Sequence, residues 1–215
     1  MNTISVQIER LKEKLEIAIK LDRKSSSEYL EEGDRAKFYR FSGADRHNFK
    51  LNPTLSIEQI KEWEAKYRSK LPLEYRAFIM EIGNGGAGPY FGMLSLEEAL
   101  DGWGDMIEDI PSKTCLLLKE YQDDKSWAAE IVGEDWETKY ESYLWSPEFG
   151  TLAICAYGCG CLFHIVLNGS LTGRIFFMES SIDSPPKLLP MANFLDWYES
   201  WLNLVITGDM KYYWG

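Results

Sequence analysis

Residues 151 to 206 constrain the fold more than any other stretch of this 215-residue chain. TLAICAYG (151–158) and CLFHIVL (161–167) are rich in β-branched and aromatic residues, and only Cys159-Gly160 separates them. Asn168-Gly169 is a hairpin signal, and RIFFMES (174–180) reads as the returning strand. Pro185-Pro186 and Pro190 then break the chain. MANFLDWYESWLNLVI (191–206) has helical spacing: Phe194, Trp197, Tyr198, Trp201, Leu202 and Val205 predict one buried stripe.

The first half has a helical period instead. Ile4, Ile8, Leu11, Leu15 and Ile19 predict an amphipathic helix that packs on the body or meets a partner helix. Residues 22 to 50 are polar and mixed and show no defined element, and RKSSSEYLEEGD (23–34) reads as a linker or frayed helix. Asn52-Pro53 marks a break. Ser56 and Gln59 have the spacing of a capping box, which opens a helix with Ile57, Ile60, Trp63 and Tyr67 that runs to about Ser69. Pro72 suits the first turn of a second helix, whose apolar face is Leu73, Tyr75, Phe78, Ile79 and Ile82. Gly83 stands where a left-handed C-cap belongs. Ser95 and Glu98 repeat the capping-box spacing before a short helix, SLEEAL. Thr114 to Leu118 suits a strand, and residues 123 to 144 a helix or a long loop.

EIGNGGAGPYFG (81–92) contains the string G-x-G-x-x-G at Gly83, Gly85 and Gly88. In a dinucleotide-binding fold that string follows a strand and opens a helix. Here it follows a helix and leads into Pro89-Tyr90-Phe91-Gly92, and no Lys-Ser/Thr pair makes a P-loop. The glycines are therefore expected to turn the chain rather than cradle a phosphate. Tyr90 and Phe91 are either aromatic anchors for a partner or core residues at the start of a strand.

The formal net charge of −11 is concentrated. Residues 97 to 148 contain 15 acidic and 4 basic side chains, residues 1 to 96 contain 14 and 16, and residues 149 to 215 contain 5 and 3. A face this acidic repels nucleic acid, whose recognition needs Lys and Arg against phosphate. It attracts a basic protein and speeds its capture, or else it only solubilises the chain. The N-terminal sequence lacks the pattern of a secretory signal, and no apolar run approaches a bilayer span, so a cytoplasmic protein without a membrane partner is expected. Cys115, Cys155, Cys159 and Cys161 are few and clustered, which suits a reducing compartment.

CAYGCGCLFHIV (155–166) brings three thiols near His164, but Cys161 and His164 differ by three and face opposite ways in a regular strand. Buried structural cysteines are expected here, not a zinc site or a Cys-His nucleophile, and His47 has no sequence partner. The acceptor triplet Asn168-Gly169-Ser170 is better explained as a turn.

LNPTLSIEQIKEWEAKYRSKLPLEYRAFIMEIGNGGAGPYFGMLSL (51–96) resembles the core signature of the SUKH superfamily, which includes the yeast cell-wall assembly regulators and many bacterial proteins. Its markers here are Leu71, Pro72, Tyr75, Phe78, Asn84 and Gly85. GTLAICAYGCGCLFHIVLNGSLTGRIFF (150–177) resembles the family's central hairpin and FLDWYESWL (194–202) its closing helix. The likeness covers roughly residues 47 to 206 and is poor over 101 to 148.

The resemblance implies an α+β fold: a mixed, largely antiparallel β-sheet packed by helices, with an extra N-terminal helix. Residues 1–35 would be a helical extension and linker, and 36–215 the domain, with an acidic insert at about 101–148. It implies no catalytic residues and no cofactor. Bacterial members are implied to be immunity proteins that neutralise a toxin, often a nuclease; eukaryotic members are implied to be regulatory interaction modules. A nuclease needs a basic face for phosphate, so an acidic inhibitor suits it. The expected contacts are Asp101, Asp105, Glu108, Asp109, Asp123 and Asp124, with Trp103, Trp127 and Tyr90 as aromatic anchors. The expected partner is a basic toxin domain, the competing reading is a regulatory scaffold, and the chain itself is a monomer or a weak homodimer.

Overall fold

The computed structural model describes residues 3–21, 32–101, 110–121 and 126–212. Strands β1 (Thr151–Gly158), β2 (Cys161–Val166), β3 (Ile175–Met178) and β4 (Lys187–Leu188) form one antiparallel sheet in sequence order. Cys159 (φ 54°) and Gly160 (φ 78°) lie between the paired residues Gly158 and Cys161, as the two positive-φ positions of a type I′ turn require.

Asn168-Gly169 does not form the next tight turn. The β2–β3 connection closes later, where the Gly173 N–H donates to the Val166 carbonyl and Arg174 N–H to Leu171. The Asn168 side-chain amide instead donates to the carbonyls of Ser112 and Lys113, both at 3.3 Å, while its own carbonyl accepts the Cys115 N–H at 2.7 Å. Residues 114–118 are thereby an extended segment with one parallel bridge, Cys115 to Gly169, and not a strand of the sheet.

Alternation along β2 and β3 gives the sheet two buried faces. Phe163, Ile165 and Ile175 join the main core, while Val166, Phe176 and Met178 join a second cluster with Cys115, Leu117, Tyr121, Trp127 and Trp145. Against these sheet residues the second cluster sets side chains of the acidic segment 101–148, the expected insert, whose helices are α6 (Trp127–Val132) and α7 (Trp136–Glu141).

The main core is built on α8 (Phe194–Thr207). Asn193 Oδ1 accepts the Asp196 N–H at 3.0 Å, and Gly208 (φ 68°) ends the helix. All six stripe residues are buried. Each large side chain removed from water contributes about 2 kcal/mol. Two of their polar tips satisfy buried carbonyls: Tyr198 Oη donates to Ala87 at 2.9 Å and Trp201 Nε1 to Ser42 at 3.1 Å.

Helix α1 (Thr3–Lys20) packs on α8 and adds Ile8, Leu11, Leu15 and Ala18 to the same core. The stripe drifts off the predicted row, so Ile19 is 53% exposed and Ala18 takes its place. Gln7 meets Asp196, Arg10 meets Glu199 and Lys14 meets Asn203, each pair 189 residues apart, so the two helices run side by side in the same direction.

The undefined stretch up to residue 50 contains two helices after all, α2 (Glu32–Ser42) and α3 (Ala44–His47). Phe38 and Phe41 are buried on an otherwise charged helix. Residues 22–31 of the expected linker lie outside the described residues. Helix α4 (Ile57–Lys66) starts with the predicted capping box, Ser56 Oγ accepting the Gln59 N–H at 3.3 Å and Gln59 Oε1 the Ser56 N–H at 2.9 Å. It stops before Ser69. Glu64, buried at 3% exposure, ties its end to α5 (Leu73–Glu81) by accepting the Leu71 N–H at 3.1 Å and pairing with Lys70 and Arg76. Pro72 is the N-cap of α5 rather than a residue of its first turn. Gly83 is not a left-handed cap: the positive-φ glycines follow at Gly85 and Gly86, and Gly83 is small because a Cβ there would lie 2.9 Å from the Asn52 carbonyl oxygen.

Candidate functional site

The glycine loop directs its N–H groups to its own chain. Gly86 donates to Met93, Ala87 to Lys50, Tyr90 to Phe41, Phe91 to Ala156 and Gly92 to Pro89. A phosphate cradle needs several such donors pointing outward. His47 closes the loop from the side, accepting the Phe49 N–H on Nδ1 at 3.0 Å and donating from Nε2 to the Gly88 carbonyl at 2.7 Å.

Two expected anchors lie inside the protein. Tyr90 is 1% exposed and packs edge-on to Phe41 and stacked on Phe163, so it is core. Trp127 is 2% exposed, packs on Tyr121 and Trp145, and donates its indole N–H to the Ile182 carbonyl at 3.0 Å. Neither ring is presented to a partner. Asp101 is exposed. Trp103, Asp105, Glu108, Asp109, Asp123 and Asp124 lie outside the described residues.

The thiols and His164 do not converge. Cys155 is buried and its thiol donates to the Pro89 carbonyl at 3.2 Å, while Cys159 is exposed on the turn. Burial pushes the Cys155 thiol well up, and the Cys115 thiol to about 11. The Thr151 hydroxyl donates to the Glu148 carbonyl at 2.7 Å and so accepts from His164 Nδ1 at 3.0 Å. The ring is held neutral, and burial lowers its pKa to about 4. Among the described residues no three His, Cys, Asp or Glu side chains are placed to hold a metal.

What the described part of the insert does present is a mixed surface. Residues 126 to 148 contain six acidic side chains and one basic one. Glu130, Glu134, Asp135, Glu137 and Glu141 are exposed on and around α6 and α7. The one cation, Lys139, is held by Asp135 at 2.7 Å and the Val132 carbonyl at 2.6 Å. Leu116 (42%) and Leu118 (62%) are exposed beside Glu130, and Tyr143 (63%) and Leu144 (72%) are exposed just after Glu141 at the end of α7.

The period of the segment explains this. Cys115 and Leu117 point into the second cluster, which leaves Leu116 and Leu118 facing out. Leu116, Leu118, Tyr121, Glu130 and Ile131 line a groove of about 570 Å³, with the Lys119–Glu130 ion pair (2.9 Å) in its wall. An apolar floor with charged walls is the anatomy of a protein-binding patch. Sequence reasoning missed these leucines, although the run CLLLK held the signal: four apolar residues in an extended segment cannot all face inward.

A family model described as SMI1 / KNR4 family (SUKH-1) matches residues 54–200, more than half of the chain and including the insert. No curated protein and no solved structure matches.

Proposed function

The chain belongs to the SMI1 / KNR4 family (SUKH-1), and on that premise we propose that it is a non-enzymatic immunity protein that binds and neutralises a basic, nuclease-type toxin domain. The observation that carries this reading is the exposure of Leu116, Leu118, Tyr143 and Leu144 on the acidic segment of the chain, whose α6 and α7 also expose five carboxylates. The carboxylates steer a basic partner to the insert and govern the association rate. The leucines and Tyr143 are then desolvated against it and govern the lifetime of the complex. A phosphate-binding face covered in this way is closed to its substrate.

The test begins with affinity capture from the native host, with added nuclease to remove bridging nucleic acid, and continues with the purified partner. A single basic toxin domain should be recovered. Replacing Glu130, Glu134 and Glu137 together by Lys should slow association at least tenfold at low salt and leave the melting temperature nearly unchanged. Leu118→Asp with Leu144→Asp should raise the dissociation rate instead. Recovery of housekeeping proteins with no toxin among them would replace immunity by a regulatory interaction role.

A further inference from the structure

The main-core face of the sheet has an open end of its own. Tyr157, Phe163, Phe177 and Leu189 line a groove there of about 360 Å³, closed on one side by the Glu179–Lys187 ion pair at 2.9 Å. Beside it Phe91 stands 48% exposed, seated on Gly158, where a Cβ would lie 2.8 Å from the ring. The Phe91 N–H donates to the Ala156 carbonyl at 3.1 Å, so this exposed ring is held in place by β1. Insert and groove lie on opposite faces, because the insert packs on Val166, Phe176 and Met178.

Cations cover the ring faces of this strip. The Arg46 guanidinium lies 4.0 Å from the Phe91 centroid, Arg40 lies 4.4 Å from Tyr157, and Lys187 lies 5.9 Å from Phe177. Lys187 is neutralised by Glu179. Arg40 and Arg46 are exposed, and no carboxylate among the described residues pairs with them. A guanidinium stacked on a ring keeps its N–H edge free for a carboxylate, and the stacking fixes its orientation in advance. Two such cations on a chain of net charge −11 form a local attraction for anions. The ligand is not nucleic acid, because base stacking needs bare ring faces and these are covered. The overall charge also opposes a polyanion.

We propose that this groove docks an acidic peptide segment of a partner protein, with an apolar side chain in the groove and flanking carboxylates on Arg40 and Arg46. This holds whether or not the insert binds a toxin.

Fluorescence anisotropy with a labelled Glu-Asp-Leu-Phe-Glu-Asp peptide tests it, beside the Gln-Asn-Leu-Phe-Gln-Asn counterpart and labelled octathymidylate. The acidic peptide should bind saturably and weaken with salt. Arg40→Gln combined with Arg46→Gln should cost at least about tenfold in affinity, because each change removes a charged hydrogen-bond donor to a carboxylate. Lys61→Gln, an exposed cation of α4 outside the groove lining, should change nothing, and equal melting temperatures would show that the exposed arginine variants fold. Absence of saturable binding, equal binding of the amide peptide, or indifference to the arginine changes would overturn the proposal. Tighter binding of octathymidylate would overturn it in favour of nucleic acid. A concentration-dependent mass in sedimentation, abolished by the arginine changes, would overturn it in favour of a second copy's acidic insert.

Discussion

Gly86 combines a φ of +98° with a backbone carbonyl, that of Lys50, only 2.4 Å from where a Cβ would stand. Gly86→Ala should therefore cost about 3 kcal/mol or more, measured by denaturant unfolding, because strain and clash add. Gly33, in the first turn of α2, has nothing among the described residues within 4 Å of its Cβ position, so Gly33→Ala should stabilise by about 0.5 kcal/mol. The contrast separates a glycine that is required from one that is tolerated. His164 supplies a pH test. Its folded pKa of about 4 lies below the ordinary 6.5, so the unfolded chain binds a proton that the folded one refuses. The stability it protects is complete above pH 6.5 and is lost as pH falls from 6.5 to about 4, on the order of 3 kcal/mol in all. His164→Gln should flatten the melting temperature over that window, and an equally steep fall in the variant would sink the assignment. Trp127→Ala should cost about 3–5 kcal/mol by emptying the second cluster, with no separate effect on association beyond the loss of fold.

Helix α1 is held by a seam of charge beside its apolar stripe. Burial alone would raise the Glu199 carboxyl, but hydrogen bonds from Arg10 (2.6 Å) and Lys14 (2.7 Å) more than offset it and hold the pKa at about 2. A depressed carboxyl contributes stability that is present above the unfolded value of 4.5 and lost as pH falls from there to about 2. Glu199→Gln should cost about 2 kcal/mol near neutral pH and speed amide exchange in α1 before the rest of the chain. Elements specified by near neighbours were legible in sequence: the capping box at Ser56 and Gln59, the Cys159-Gly160 turn and the α8 stripe. Helix α2 was not, because Phe38 and Phe41 give too few apolar positions to set a period against its charges. Asn168-Gly169 was misread because its hydrogen bonds go to residues 112–115, more than 50 positions away. The acidic insert was legible as a charge imbalance, yet Tyr90 and Trp127 were misplaced, since an aromatic residue fits a core and an interface equally well by type. Only the alternation of residues 115–118 separates inward from outward there.

At the scale of the molecule, the sheet is a partition. Its main-core face carries α1 and α8, and at its open end two cations stacked on aromatic rings; its other face carries the insert and its carboxylates. A partner drawn to one face does not obstruct the other, so charge reversal in α6 and α7 and Arg→Gln substitution at Arg40 and Arg46 should act additively on separate ligands. The pairing of α1 with α8 reaches further still. During synthesis a growing chain releases α1 first and α8 only after the whole sheet has been made. For that interval Ile8, Leu11 and Leu15 have no α8 to cover them, and the aromatic centre of the main core does not exist. Folding therefore waits on the ribosome's late output, and the nascent chain offers a chaperone an amphipathic helix to hold in the meantime.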